Sequence, residues 1–147
     1  MSASATPAKL YTPDLLALAV ELARFPFDDS FEVQAEARSR SCGSVVLLGL
    51  NRDAEGAVAR IGVSAKACAV GQAAAALFAL DAAGRTCADM ARAAAALDGW
   101  LNGSGAQPDW RGIEALDPAR AHPGRHEAIR LPWRAALAAL PNTAPHG

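Results

Sequence analysis

Three cysteines (Cys42, Cys68, Cys87) and three histidines (His122, His126, His146) stand out in this 147-residue sequence as side chains that could bind a metal or act as nucleophiles. Cys42 lies in "RSRSCGSVVLLGL", between a basic, serine-rich run and an unbroken apolar run. Cys68 lies in "SAKACAVGQ", at the head of an alanine-rich stretch. An odd number of thiols does not suit a disulfide framework, so any pair that meets points to metal binding or reactive sulfur. A helix start after Cys68 would favour negative charge on its sulfur, which suits the same chemistry. Taken singly, either cysteine is as well explained as a small buried hydrophobe. Cys87 follows Thr86, which with Asp89 forms a capping-box pattern. Capping explains that segment without the thiol, and the position is expected to face solvent. His122 and His146 sit in proline-flanked loops with no evident partner. Ser-His-Asp arrangements, phosphate-cradling glycine loops and H-E-x-x-H helices are all missing from the sequence, so a conventional enzyme is not indicated.

The elements that must position these thiols can be read from periodicity. "TPDLLALAVELARF" begins a helix with Thr12 as N-cap, Pro13 in the first turn and Asp14 facing the dipole; Leu15, Leu18, Ala19, Leu22 and Phe25 form its apolar face. Pro26, Asp28 and Asp29 end it. Residues 31–39 alternate, with Phe31, Val33, Ala35 and Ala37 on one side and Glu32, Gln34, Glu36 and Arg38 on the other, as in a half-buried strand. "SVVLLGLN" is a second strand, "NRDAEG" a turn and "AVARIGVSA" a third strand, which together predict an antiparallel meander. Helices follow: one running to Gly84 as its C′ residue, one from Thr86 to about Gly103, a short turn at Ile113 to Leu116, and a closing helix interrupted near Pro132. The tryptophans at 100 and 110 are expected to pack with one edge exposed.

The predicted fold class is α+β: a three-stranded antiparallel meander with an N-terminal helix and several C-terminal helices packed on it. The predicted organisation is a flexible tail over residues 1–9, one domain over 10–140 and a second tail over 141–147. In such a meander the end of the first strand and the end of the third lie at the same end of the sheet. Cys42 and Cys68 are therefore expected to share one end of the domain.

Composition narrows the partners. The formal charge is −1 and the pI about 6.3, so no basic excess exists to bind nucleic acid or an anionic membrane. The apolar fraction of 52% is inflated by alanine, and the large apolar residues must carry the core. No window approaches a membrane span, and "MSASATPAKL" lacks the pattern of a secretory signal, so a cytoplasmic location is expected.

In order and spacing, four stretches of the chain resemble the U-type iron–sulfur cluster assembly scaffolds, the IscU/NifU N-terminal-like family, and most of all its SufU branch. "LYTPDLL" resembles the family's N-terminal helix entry, and "SRSCGSVVLLGL" its first cysteine loop, normally Cys-Gly-Asp before an apolar strand. "AKACAVGQAAAALF" resembles its second cysteine loop. "WRGIEALDPARAHPGRHEAIRLPWRAAL" resembles the SufU-type closing segment, where a cysteine precedes Leu-x-Trp. The resemblance runs from about Leu10 to Leu140. Two departures stand out: Ser44 replaces the aspartate, and Ala128 occupies the third cysteine position. The Leu-Pro-Pro-Val chaperone motif of the IscU branch is also missing.

The resemblance implies a non-catalytic scaffold or carrier that holds iron or a transient [2Fe–2S] cluster through Cys42 and Cys68. Its partners would be a cysteine desulfurase and downstream apo-proteins or carriers, and the chain would act as a monomer or a cluster-bridged homodimer. Two thiolates leave half of a tetrahedral shell open. His126 and Glu127, immediately before Ala128, are the candidates to add a nitrogen or an oxygen; Ser44 is a turn residue rather than a ligand. Two other readings stay open. One is a zinc-binding sulfur relay that accepts persulfide from a desulfurase. The other is a degenerate member that serves only as a protein-interaction module.

Overall fold

Thr12 opens the first helix as its sequence predicts: its Oγ1 accepts the Leu15 N–H at 3.1 Å, and helix α1 spans Pro13–Glu21. The structure is a computed structural model that describes residues 10–40 and 43–140. The predicted tails and Cys42 lie outside those residues. From α1 a 3-10 turn (Leu22–Arg24) leads to β1 (Val33–Arg38), β2 (Val45–Arg52) and β3 (Val58–Lys66). Then come α2 (Ala69–Leu80), α3 (Cys87–Asn102), a 3-10 run (Ile113–Ala121), a 3-10 turn (Pro123–Arg125) and α4 (His126–Ala139). The sheet order is β1-β2-β3 with both pairs antiparallel, the expected meander within an α+β fold.

One sheet face holds the core. Val46, Leu48 and Leu50 of β2 are fully buried, with α4 packed on β1 and β2 and α2 packed on β3. Helix α2 is buried almost all round, from Val70 to Ala79, as expected of a central helix apolar on every side. Its alanines let α1 and α4 pack closely against it. All three tryptophans are buried, including the two expected to keep an exposed edge. Trp110 is drawn in because its Nε1 donates to the Leu77 carbonyl at 3.0 Å and its ring stacks on Phe78.

Phe31 is buried, but on the face opposite Val33. It precedes β1, so the strand's alternation does not govern it. Its ring lies over Gly49 and Gly62, which are paired across β2 and β3; a Cβ on either would come within 2.5 Å of the ring. The segment from Phe25 to Phe31 therefore wraps the β3 edge, where the Val63 N–H donates to the Phe25 carbonyl. That contact shields an edge strand that would otherwise be open to pairing.

Two helix ends differ from their sequence reading. Helix α2 stops at Leu80 rather than running to Gly84, because the next residues are recruited elsewhere. The Gly84 N–H donates to the Val58 carbonyl and the Val58 N–H to the Arg85 carbonyl, which ties this stretch to the start of β3. Helix α4 runs unbroken through Pro132. Proline removes one backbone hydrogen bond. The buried face of Ala128, Ile129, Leu131, Pro132, Trp133, Ala135 and Ala136 outweighs that loss. The short turn expected at 113–116 extends to Ala121.

Candidate metal and cluster site

The meander brings the chain ends beside Cys42 and Cys68 together. Arg38, Val45 and Lys66 stand abreast in the sheet, so the β1–β2 corner and the exit of β3 share one end. The corner closes through a hydrogen bond from the Ser39 N–H to the Ser44 carbonyl at 2.8 Å. Gly43 has φ of 74°, a left-handed conformation that L side chains rarely adopt, which explains glycine directly after Cys42. Ser44 is buried and serves the turn through its carbonyl.

Cys68 is the N-cap residue of α2, half-buried, and its thiol makes no capping hydrogen bond. Serine, threonine, asparagine or aspartate would be favoured at this position. The chain instead fixes the helix start through its backbone and Gln72: the Cys68 carbonyl accepts the Gln72 N–H at 2.9 Å, and Gln72 Nε2 donates to the Ala67 carbonyl at 3.1 Å.

The start of α4 completes the corner. Ala128 is buried, and its Cβ lies 3.4 Å from where a Gly71 Cβ would stand. The position matching the third family cysteine is thus pressed against the first turn of the helix that Cys68 caps. Glu127 reaches the other corner segment: its Oε1 accepts from Ser39 Oγ at 3.0 Å and from the Arg40 N–H at 3.2 Å. Its other oxygen faces Arg134 at 3.6 Å. His126 Nε2 lies 3.0 Å from the Arg120 carbonyl. A carbonyl only accepts, so Nε2 donates there, and in the neutral ring Nδ1 holds the free lone pair. Among the described residues, no three His, Cys, Asp or Glu side chains cluster closely enough to hold an ion.

Cys87 is the first residue of α3, behind a complete capping box between Thr86 and Asp89. It is half-buried against the core rather than solvent-facing. Among the described residues nothing links it to the corner.

A solved NifU-like protein (N-terminal) from Brucella abortus superposes with a TM-score of 0.80 at 26% identity, over 89% of this chain and 92% of that one. The chain has the fold of the U-type scaffolds over most of its length. A SufU from Fervidobacterium islandicum AW-1, a candidate iron–sulfur cluster assembly scaffold for the SUF system, matches with the same TM-score. It covers 92% of this chain and 99% of that one at 19% identity, a likeness of fold. No protein-family model matches the chain, and no curated protein does. Seen against the U-type pattern, the departures at Ser44 and Ala128 fall inside the folded corner, where both residues are buried. Sequence reasoning named Glu127 only as a possible ligand. Its contact with Ser39 joins residues 88 positions apart, which no local pattern reveals.

Proposed function

We propose that this chain is a non-catalytic scaffold or carrier in iron–sulfur cluster assembly, with iron or a [2Fe–2S] cluster as its cargo and Cys42 and Cys68 as the holding thiolates. The observation that carries the reading is the shared sheet end. Arg38, Val45 and Lys66 are abreast, so the segments leading into Cys42 and Cys68 leave the sheet together, beside the start of α4. The likeness to a solved NifU-like protein supports it.

The donor set of one chain is half of what a cluster takes. A [2Fe–2S] cluster is held by four cysteine thiolates, so two copies bridged by one cluster would satisfy it. In a single chain, His126 would add Nδ1, the nitrogen left over once Nε2 is committed to Arg120. Zinc would accept the same sulfur and nitrogen donors. A cysteine desulfurase is the natural sulfur source and an apo-protein or carrier the natural recipient. With Ala128 where a third cysteine would stand, the sulfur-relay reading would need Cys42 or Cys68 as its acceptor.

Anaerobic reconstitution with ferrous iron and sulfide, followed by absorption spectroscopy and iron and sulfide analysis, tests the proposal. The wild type should take up both and develop charge-transfer bands in the visible. The C42A/C68A variant should take up neither. Equal uptake by that variant, or no uptake by the wild type, contradicts the reading.

A further inference from the structure

We infer that Glu127 is a positioning residue: it latches the stem of the Cys42 corner onto the start of α4, and is not a ligand of the cargo. The inference deepens the scaffold reading and rests on it for its purpose, though not for its test. One oxygen of Glu127 gathers two donors from the corner, Ser39 Oγ at 3.0 Å and the Arg40 N–H at 3.2 Å. Ser39 is buried, with 7% of its surface exposed, so its hydroxyl is directed inward to this carboxylate rather than to water. Arg134, two turns along α4, stands 3.6 Å from the second oxygen and holds the carboxylate from the other side. A carboxylate engaged by a hydroxyl, an amide and a guanidinium has most of its acceptor capacity in use.

The consequence lies in where the bonds fall. Arg40 is two residues before Cys42, and Glu127 is one residue after His126 and one before Ala128. The latch therefore joins the two segments of the corner that the sheet ladder does not pair. It does so at the place where a third cysteine would otherwise have linked them through a shared ion. In this chain a hydrogen-bonded bridge between protein groups holds the corner closed with or without cargo.

The test uses the full chain without metal first, so that its outcome is separate from the scaffold proposal. The backbone exchange rate of the Arg40 amide and the alkylation rate of Cys42 are compared in wild type, E127A and E127Q. Glu127→Gln keeps an oxygen that accepts both bonds, while Glu127→Ala keeps none. Exchange and alkylation should each rise about tenfold in E127A, the factor that a hydrogen bond to a charged group is worth, and change less than about threefold in E127Q. If E127A fails to fold, S39A removes one donor from the opposite side and should show the same acceleration at a smaller factor. Arg40 exchange unaltered in both E127A and S39A overturns the latch. Zinc dissociation then separates latch from ligand: E127Q should release zinc at the wild-type rate. Release from E127Q markedly faster than from the wild type would make Glu127 a ligand instead. If the wild type binds no metal at all, the scaffold reading fails, while the exchange and alkylation results still decide the latch.

Discussion

Cys68 stands where a capping side chain would stabilise the helix, yet its sulfur caps nothing. A residue that forgoes a local contribution of about 1 kcal/mol is a candidate for another task. Cys68→Ser should therefore leave thermal stability unchanged or raise it by up to about 1 kcal/mol, while removing iron uptake. A denaturant melt and an iron assay on the same sample check both halves, and a marked loss of stability would show that the thiol serves only packing. Ala128 gives the complementary experiment. Its Cβ faces the first turn of α2, so Ala128→Cys should place a third thiolate at the corner and tighten zinc at least about tenfold, read by chelator competition. Unchanged affinity would mean that the buried site has no room to direct a sulfur toward the other two. The cysteines and the residues around Ala128 were legible in the sequence because each belongs to a short recognisable stretch. Glu127's bonds were not, since they depend on two distant segments meeting in the fold.

At the scale of the element, local chemistry was legible wherever it is self-contained. The Thr12 N-cap and the Thr86–Asp89 box are formed as the sequence predicts, because their donors and acceptors lie within three residues. Thr86→Ala should cost about 1 kcal/mol in a chemical melt. The Thr86 backbone N–H bonded to Asp89 is the largest influence on that carboxyl and helps hold its pKa below the ordinary aspartate value. At Asp81, burial opposes ionisation, but the Arg111 amide and the Arg85 guanidinium prevail and its pKa is also lowered. Both contributions are fully present above the unfolded-state value near 3.9, and are lost as pH falls through the lower folded values. Asp89→Asn should accordingly flatten the fall in stability below about pH 4; an acid limb as steep as the wild type's would deny the carboxylate that role.

Element boundaries set by distant partners were less legible: Gly84 is claimed by Val58, and Pro132 is tolerated because its helix is buried. Phe31 shows the same limit, since its burial depends on two glycines of other strands. Gly49→Ala should be destabilising by about 1–3 kcal/mol, and Phe31→Ala should relieve that only in part, because it removes the ring but keeps the Phe31 Cβ 2.8 Å from the new methyl. Gly62→Ala should not be relieved, because its Cβ would also come within 2.4 Å of the Pro26 carbonyl. A double-mutant cycle with equal coupling at both glycines would contradict this packing.

For the whole molecule, the order of helix, meander and helices decides the site. Three antiparallel strands return both cysteine-bearing turns to one sheet end, and α4, packed on β1 and β2, brings Ala128 and Glu127 to the same place. This was legible before any coordinates, because period-two alternation and short turns leave few other topologies. Composition also bears on the molecule as a whole: a net charge of −1 carries no overall basic excess, and among the described residues no helix is long and apolar enough to cross a membrane. What all of this requires is that Cys42 and Cys68 bind one ion together. Zinc K-edge absorption on zinc-loaded protein measures that directly, as the number of sulfur neighbours at about 2.3 Å. The sulfur shell should halve in Cys42→Ser, whether a single chain or a pair holds the ion. An unchanged shell in that variant, or zinc without sulfur in the wild type, would contradict a shared site.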